Sequence, residues 1–322
     1  MKKGKKNIHT SAGNNVISPR EDILHKVVED LSSPASYESV MHRSNHEMPM
    51  PSVEVLTEVV ENLRAVLFPG YFGTSELRPE TMKYYVGSTL DQVVRLLTEQ
   101  IMRGLCFACI PTKYKNCAEC QNIAHKMTLD FISRLPLVRH MLSTDVKAAY
   151  IGDPAAKSPG EAIFCYPSIQ ALFNQRIAHE LYKIDIPLIP RIITEMAHSV
   201  TGIDIHPGAE IGKYFFMDHG TGIVIGETTI IGNNVRIYQG VTLGAKSFPL
   251  DEQGNPIKGI PRHPIVEDDV IVYSGATILG RVTIGKGSVI GGNVWVTRNI
   301  PPGSRVLQTD FQELYYENGA GI

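Results

Sequence analysis

Apolar residues recur every six positions between Ile205 and Val296. Ile205, Ile211 and Met217 share one register. After a slip of two residues, Ile225, Ile231, Ile237 and Leu243 share a second. Beyond a long interruption, Val266, Val272, Ile278, Ile284, Ile290 and Val296 share a third. Glycine follows the apolar residue at Gly212, Gly226, Gly232, Gly244, Gly285 and Gly291. A period of six fits neither an α-helix, whose face repeats about every 3.6 residues, nor a flat strand, whose faces alternate. It fits a parallel β-helix, in which each hexapeptide supplies one short strand and a corner and the apolar side chain points into a prism. A β-sandwich would place turn signals roughly every 8–12 residues instead. Period alone leaves the hand of the coil open, because right-handed crossovers are the general rule.

Upstream the spacing becomes helical. Leu56, Val59, Val60, Leu63 and Leu67 form one stripe, stopped by Pro69-Gly70. Leu90, Val93, Val94, Leu97 and Ile101 form a second, with Ser88 as its N-cap. Ile123, Met127 and Phe131 belong to a third. A short helix is expected near Asp145 to Tyr150, ending at Gly152-Asp153-Pro154. Ile169, Leu172, Phe173, Ile177 and Leu181 mark another, and the last runs from about Pro190 to Gly202. The predicted architecture is α+β, an all-helical domain followed by a parallel β-helix with one long inserted loop. The expected divisions are a mobile polar arm over 1–50 with one helix at Ile23 to Leu31, a helical domain over 51–202, the coil over 203–303, and a tail over 304–322. Ala245 to Pro264 carries four prolines and two glycines. It cannot form a rung, so it should project from a corner, where function tends to sit. Pro301-Pro302 is expected to end the coil.

The 322 residues carry a net charge of −2, a pI near 6.6 and 43% hydrophobic residues. That describes a globular protein with no electrostatic case for nucleic acid or a membrane surface. The basic start Met1-Lys-Lys-Gly-Lys-Lys6 is followed by no apolar run, so no secretory signal is expected. Five cysteines, an odd number, then suggest reduced thiols and a cytoplasmic location. Cys106, Cys109, Cys117 and Cys120 form a Cys-x-x-Cys…Cys-x-x-Cys set that could hold Zn²⁺. The gap between the pairs is shorter than in a zinc ribbon, and buried structural thiols are the competing reading.

The chemistry concentrates in the coil, which holds three histidines and no cysteine. Each histidine has an ionic neighbour: Asp204 near His206, Asp218 beside His219, Arg262 beside His263. His219 falls where the cadence slips, and a slip in a regular repeat gives up packing for something else. Asp204 and His219 are fifteen residues apart, close to one coil of eighteen, which places them on neighbouring rungs. A histidine paired with a carboxylate is a general base of fixed tautomer. It could take a proton from an attacking hydroxyl, and without a coil cysteine direct acyl transfer is favoured over an acyl-cysteine. Three histidines could instead ligate zinc, as in the β-helical carbonic anhydrases. No His-x-x-x-x-His pair is present, so no metal requirement is expected.

These residues resemble the serine O-acetyltransferases. The matching strings are Gly152-Asp-Pro-Ala155, Ile169-Gln-Ala-Leu-Phe-Asn-Gln-Arg-Ile-Ala-His179, Asp204-Ile-His-Pro207, Met217-Asp-His-Gly-Thr-Gly222, Gly226-Glu-Thr228, Gln239-Gly-Val-Thr-Leu-Gly244 and Arg262-His-Pro264. Hexapeptides alone are shared with sugar and antibiotic acetyltransferases; the Asp-Pro-Ala, Asp-His-Gly-Thr-Gly and Arg-His-Pro strings together are specific. The resemblance implies a left-handed β-helix, a trimer or dimer of trimers, and acetyl transfer from acetyl-CoA to the hydroxyl of L-serine in cysteine synthesis. Carried over by motif, His219 is the base and Asp204 its partner. Asp153 and Asp218 would hold the serine ammonium, and Arg262 and His263 its carboxylate as charge-assisted pairs. CoA would lie along the coil between subunits near Gly244, Ala245, Ser274, Gly275, Ala276 and Gly292, within reach of backbone N–H groups. Cysteine would be expected to inhibit at the same site. The terminal Ile322 would be a docking residue for O-acetylserine sulfhydrylase. Two alternatives are an acetyltransferase for another hydroxyl, such as a sugar or homoserine, and a non-catalytic scaffold.

Overall fold

The computed structural model describes residues 19–41, 48–74, 76–108 and 117–308. They fall in two compact units, Met1–Glu47 and Met48–Ile322. In the first, α1 (Pro19–Ser32) and α2 (Pro34–Tyr37) are separated at Ser33, held extended before Pro34. The single helix expected at Ile23 to Leu31 is therefore longer by several residues.

The second unit begins with α3 (Val53–Leu67), capped by the Ser52 hydroxyl, which accepts from Val55 N–H at 3.2 Å. Then come α4 (Pro79–Phe107), α5 (Cys117–Gly152), α6 (Pro159–Cys165), α7 (Pro167–Tyr182) and α8 (Ile189–Thr201). Two expectations change here. Ser88 lies inside α4, its hydroxyl bonded to the Tyr85 carbonyl; the helix starts a full two turns earlier, at Pro79. The separate short helix at Asp145 to Tyr150 is the end of α5, which runs through Pro136. Phe131, Leu135, Val138, Leu142, Val146 and Ala149 make one buried stripe across that proline. Each buried large side chain is worth about 1.5–3 kcal/mol, enough together to outweigh a proline cost of about 3 kcal/mol. None of the described helices is long and apolar enough to cross a membrane.

Gly202, φ 68°, ends α8 and the coil follows. Its first rung is β1 (Asp204–Ile205), β2 (Glu210–Ile211) and β3 (Phe216–Asp218). The second is β4 (Val224–Ile225), β5 (Ile230–Ile231) and β6 (Arg236–Tyr238), and the third β7 (Thr242–Gly244), β8 (Ile265–Val266) and β9 (Ile271–Val272). After β10 (Thr277–Leu279), β11 (Thr283–Ile284) and β12 (Val289–Ile290) come β13 (Trp295–Val296) and β14 (Arg305–Val306). These strands pair parallel to one another, in three sheets. Sheet one stacks β1, β4, β7, β10 and β13; sheet two stacks β2, β5, β8 and β11; sheet three stacks β3, β6, β9, β12 and β14. The result is a left-handed β-helix. Ile205, Ile225, Leu243, Ile278 and Val296 stack in register and are buried, as the period of six requires. The coil continues past Pro301-Pro302, because β14 pairs with β12 and Val306 lies on Ile290. The prolines occupy a corner, where no ladder N–H is needed.

Side chains from α5 and α7 cover the open edge of the first rung. Gln175 Nε2 donates to Ala209 O (2.9 Å), Arg176 Nη2 to Gly212 O (2.7 Å) and Arg176 Nη1 to Ile211 O. His179 Nδ1 meets Pro207 O at 2.9 Å, and Thr144 and Asp145 accept from the Tyr214 and Phe215 N–H groups. Arg176 and Asp145 are themselves a buried ion pair at 3.1 Å. Burial pushes the Asp145 carboxyl up to about 6 against the pull of Arg176 and the Phe215 N–H, which leaves it ionised at neutral pH.

Cys106 and Cys120 are buried at the end of α4 and the start of α5. Cys109 and the side chain of Cys117 lie outside the described residues, and the zinc expectation with them; so do residues 309–322 of the tail, Ile322 included.

Candidate active site

The candidate residues gather at two corners of the prism. The first lies between sheets three and one. Here the chain makes its two-residue slip as a tight turn, with Gly220 N–H bonded to Asp218 O at 2.7 Å and His219 at the tip. His219 has φ 58°, a left-handed conformation that a residue with a Cβ adopts at a cost and that gathers at functional sites. Its side chain is 72% exposed, and Nε2 stands 3.8 Å from Asp218 Oδ1.

Asp153 reaches the same corner from the helical half. The end of α5 lies so close to β3 that a Cβ on Gly152 would meet Phe216 Cδ1 at 2.6 Å. Only glycine allows that approach. Asp153 Oδ1 accepts from the Ala155 N–H (2.7 Å) and Oδ2 from the Tyr166 hydroxyl (2.5 Å). Those two bonds, with Tyr166 the stronger, and the nearby His219 hold the carboxyl below its ordinary value.

Asp204 does not join them. No hydrogen bond or ion pair links Asp204 to His219 within the chain. Its carboxylate gathers instead with Glu195 and His198 of α8, ligand atoms within 4.8 Å of one another. The fifteen-residue spacing brought the backbones onto adjoining turns but did not settle where the side chains aim.

The second corner lies between sheets one and two, where the inserted loop returns. The loop is a small hairpin, with Leu250 bridged to Pro256 and the Asp251 carboxylate capping the turn through the Gln253 and Asn255 N–H groups. Its base is pinned by Thr228, whose Oγ1 accepts from the N–H groups of Arg262 (2.9 Å) and His263 (3.1 Å). Arg262 Nη2 donates to Glu227 Oε2 at 2.7 Å, and Tyr182 at the end of α7 donates to Glu227 Oε1 at 3.3 Å. His263 is buried against Gly226, where a Cβ would meet its ring at 2.1 Å. Its Nδ1 accepts the Thr228 N–H at 3.0 Å, so the ring proton sits on Nε2. Burial, then the Arg262 charge, push its pKa down to about 4. His263 is thus a neutral donor, and of the expected charge-assisted pair only Arg262 carries charge.

The expected CoA residues divide the same way. Gly244 and Ala245 sit at the second corner; Ser274, Gly275, Ala276 and Gly292 sit at the first, on turns stacked beneath His219. The Gly275 and Ala276 N–H groups are held by Gln239 O (2.9 Å) and Tyr273 O (3.3 Å), so the coil itself uses them.

Sequence reasoning missed three contributors: Tyr166, and Glu227 and Thr228, which appeared only inside a motif string. The signal for Tyr166 was Pro167, which forces the residue before it out of the helix. Nothing local marked Glu227 as the partner of Arg262.

A hexapeptide coil with an imidazole and carboxylates at one corner defines a hexapeptide-repeat acyltransferase, and residues 263–298 match the bacterial transferase hexapeptide (six repeats) family. The chain is 50% identical over 318 residues to the plasmid serine acetyltransferase of Synechococcus elongatus, covering 95% of this chain and 99% of that one. It is 46% identical over 167 residues to a serine acetyltransferase of Bacillus licheniformis, covering 52% of this chain and 73% of the relative. Among solved structures, serine acetyltransferase isoform 3 of Entamoeba histolytica in complex with cysteine aligns with a TM-score of 0.67 at 34% identity, covering 92% of this chain and 96% of that one. Soybean serine acetyltransferase complexed with serine aligns at 0.51 and 28% identity, covering 81% and 98%. The chain belongs to the serine acetyltransferase family.

Proposed function

We propose that the chain transfers acetyl from acetyl-CoA to the hydroxyl of L-serine, giving O-acetylserine and CoA, at a site shared between neighbouring copies. One observation carries this reading. Carboxylates stand at one corner and Arg262 at the other, the two signs a zwitterion needs, at opposite edges of sheet one. Threefold association would set the first corner of one copy against the second corner of the next. Asp153 and Asp218 would then receive the ammonium of serine, and Arg262 its carboxylate, with the neutral Nε2–H of His263 as a further donor.

His219 accepts the hydroxyl proton as the serine oxygen attacks the thioester carbonyl. The tetrahedral adduct expels the CoA sulfur, which takes that proton back from the imidazolium. Asp204 remains the proposed partner of His219, from the adjoining turn at the same corner of its own copy. CoA would extend along the turns at Ser274, Gly275, Ala276 and Gly292 toward Gly244 and Ala245 of the neighbour. L-cysteine matches serine in size and charge and would compete for the pocket, which the cysteine complex of the Entamoeba relative supports. The reaction belongs in the cytoplasm. Ile322 would dock O-acetylserine sulfhydrylase, which titration of the sulfhydrylase with the chain and with a form lacking Ile322 tests; equal binding removes that role.

The deciding experiment is a CoA-release assay with L-serine, homoserine and a galactoside side by side. Release with serine alone supports the reading; a preference for the galactoside replaces it with a sugar acetyltransferase.

A further inference from the structure

We propose that Tyr166 is a positioning residue for the acceptor's amino group, holding the Asp153 carboxylate in the one orientation that can receive an ammonium. This deepens the functional reading above and rests on it.

Asp153 and Tyr166 are alike in one respect: each immediately precedes a proline, Pro154 and Pro167. A proline pushes the preceding residue away from helical dihedrals, so both sit at breaks, Asp153 after the last turn of α5 and Tyr166 between α6 and α7. At its break Tyr166 is pinned on both sides. Its N–H donates to Ala162 O (3.2 Å), and its carbonyl accepts from Ile169 N (3.1 Å) and Gln170 N (3.3 Å). Its φ of −84° and ψ of 119° are extended, and its hydroxyl bonds the Asp153 carboxylate at 2.5 Å. The hydroxyl therefore comes to Asp153 from a fixed point.

Among the described residues of the helical half no cation pairs with the Asp153 carboxylate; its oxygens are each taken once, by the Tyr166 hydroxyl and the Ala155 N–H. An ionised carboxylate offers about four lone-pair sites, so these two bonds fix its plane and leave the outward pair free. His219 is near enough to act on that carboxylate electrostatically, and Asp218 near enough to act on the phenol. Burial first, then the Asp153 bond and the charges of Asp153, Glu161 and Asp218 keep the phenol protonated, so it remains a donor. An ammonium arriving between Asp153 and Asp218 meets two carboxylates, of which only Asp153 is oriented by a side chain from the helical half.

The test is kinetic and uses the full chain. In Tyr166→Phe the ring packing is kept and only the hydroxyl is lost. We expect the KM for L-serine to rise about tenfold, the loss of one charge-assisted hydrogen bond, with the KM for acetyl-CoA unchanged and only a small fall in melting temperature. In an Asp153→Asn background the same change should add nothing, because Tyr166 acts only through the carboxylate. An unaltered serine KM in Tyr166→Phe, or losses that multiply in the double variant, overturns the proposal while leaving the functional reading intact. A wild-type chain with no serine-dependent CoA release removes both.

Discussion

Arg262 reaches its corner already paired, its guanidinium 2.7 Å from the Glu227 carboxylate. Glu227 is held in turn by Tyr182, so the end of α7 fixes the pose of a residue on the inserted loop. Replacing Glu227 with Gln keeps the shape and removes the charge that orients the guanidinium. We expect the serine KM to rise about threefold to tenfold with little change in kcat, since a partly exposed charge pair is worth about 0.2–1 kcal/mol and orientation adds to it. Steady-state kinetics at saturating acetyl-CoA measure this; a fall in kcat with constant KM would contradict it.

His219→Asn should leave the fold intact and cost about 10²–10⁴ in rate, the range for removal of a general base. Asparagine is the informative replacement because it tolerates the left-handed φ of 58° better than alanine does. Thermal unfolding of the variant should match wild type. Asp204→Asn, measured alongside, reports whether Asp204 serves the base: full activity would assign Asp204 to the cluster with Glu195 and His198 instead.

Mixing provides a direct test of a shared site. His219→Asn and Arg262→Ala are each expected to be nearly inactive. If the two corners of one site come from different copies, co-expressing the variants should restore about a quarter of wild-type activity, since each random pairing has one chance in four of joining two intact corners. Corners that act within a single copy would give no recovery.

The buried neutral His263 predicts an acid-sensitive term in stability. Its folded pKa is pushed to about 4 from an ordinary 6.5. Between those values the unfolded chain binds more protons, so the term is fully present above about 6.5 and is lost as pH falls toward 4, at no more than about 1.4 kcal/mol per pH unit. Asp145 acts in the opposite sense. Its carboxyl, raised to about 6 from 3.8, binds its proton more readily when folded, so its contribution grows as pH falls through that window. Urea unfolding of wild type and His263→Gln at pH 7, 6 and 5 separates the two: the stability gap between them should shrink as pH falls.

Gly152→Ala should damage both stability and serine binding. The added methyl would stand 2.6 Å from the Phe216 ring, so α5 must move off β3 and take Asp153 with it. Overpacking of this kind costs about 1–3 kcal/mol. Calorimetric melting should fall and the serine KM rise, whereas Gly87→Ala inside α4, where nothing lies within 4 Å, should leave the KM alone and raise melting slightly, alanine being worth about 0.5–1 kcal/mol over glycine in a helix interior.

The coil was legible because its interior imposes one rule on every sixth residue, and the stacked pairs Ile225–Leu243 and Ile237–Val272 obey it. The helices were legible as stripes but not in extent. Pro136 reads as a break unless the continuous burial on either side of it is known, and α4 begins at Pro79, ahead of the apolar stripe. At the site, residue types were readable and partnerships were not. Asp204 and His219 have the right spacing yet share no hydrogen bond or ion pair, while Tyr166 and Asp153, with no spacing rule between them, are bonded because two prolines break the chain at the right places. His263 reads as a cation in sequence, and only its burial and the Thr228 N–H make it neutral.

A parallel coil has no natural end: its first rung presents carbonyls and N–H groups ready to accept another chain. The Gln175, Arg176 and His179 side chains of α7, with Thr144 and Asp145 of α5, occupy those groups one by one. The helical half is therefore also a stopper against end-to-end polymerisation, and a chain trimmed to the coil alone would be expected to form filaments.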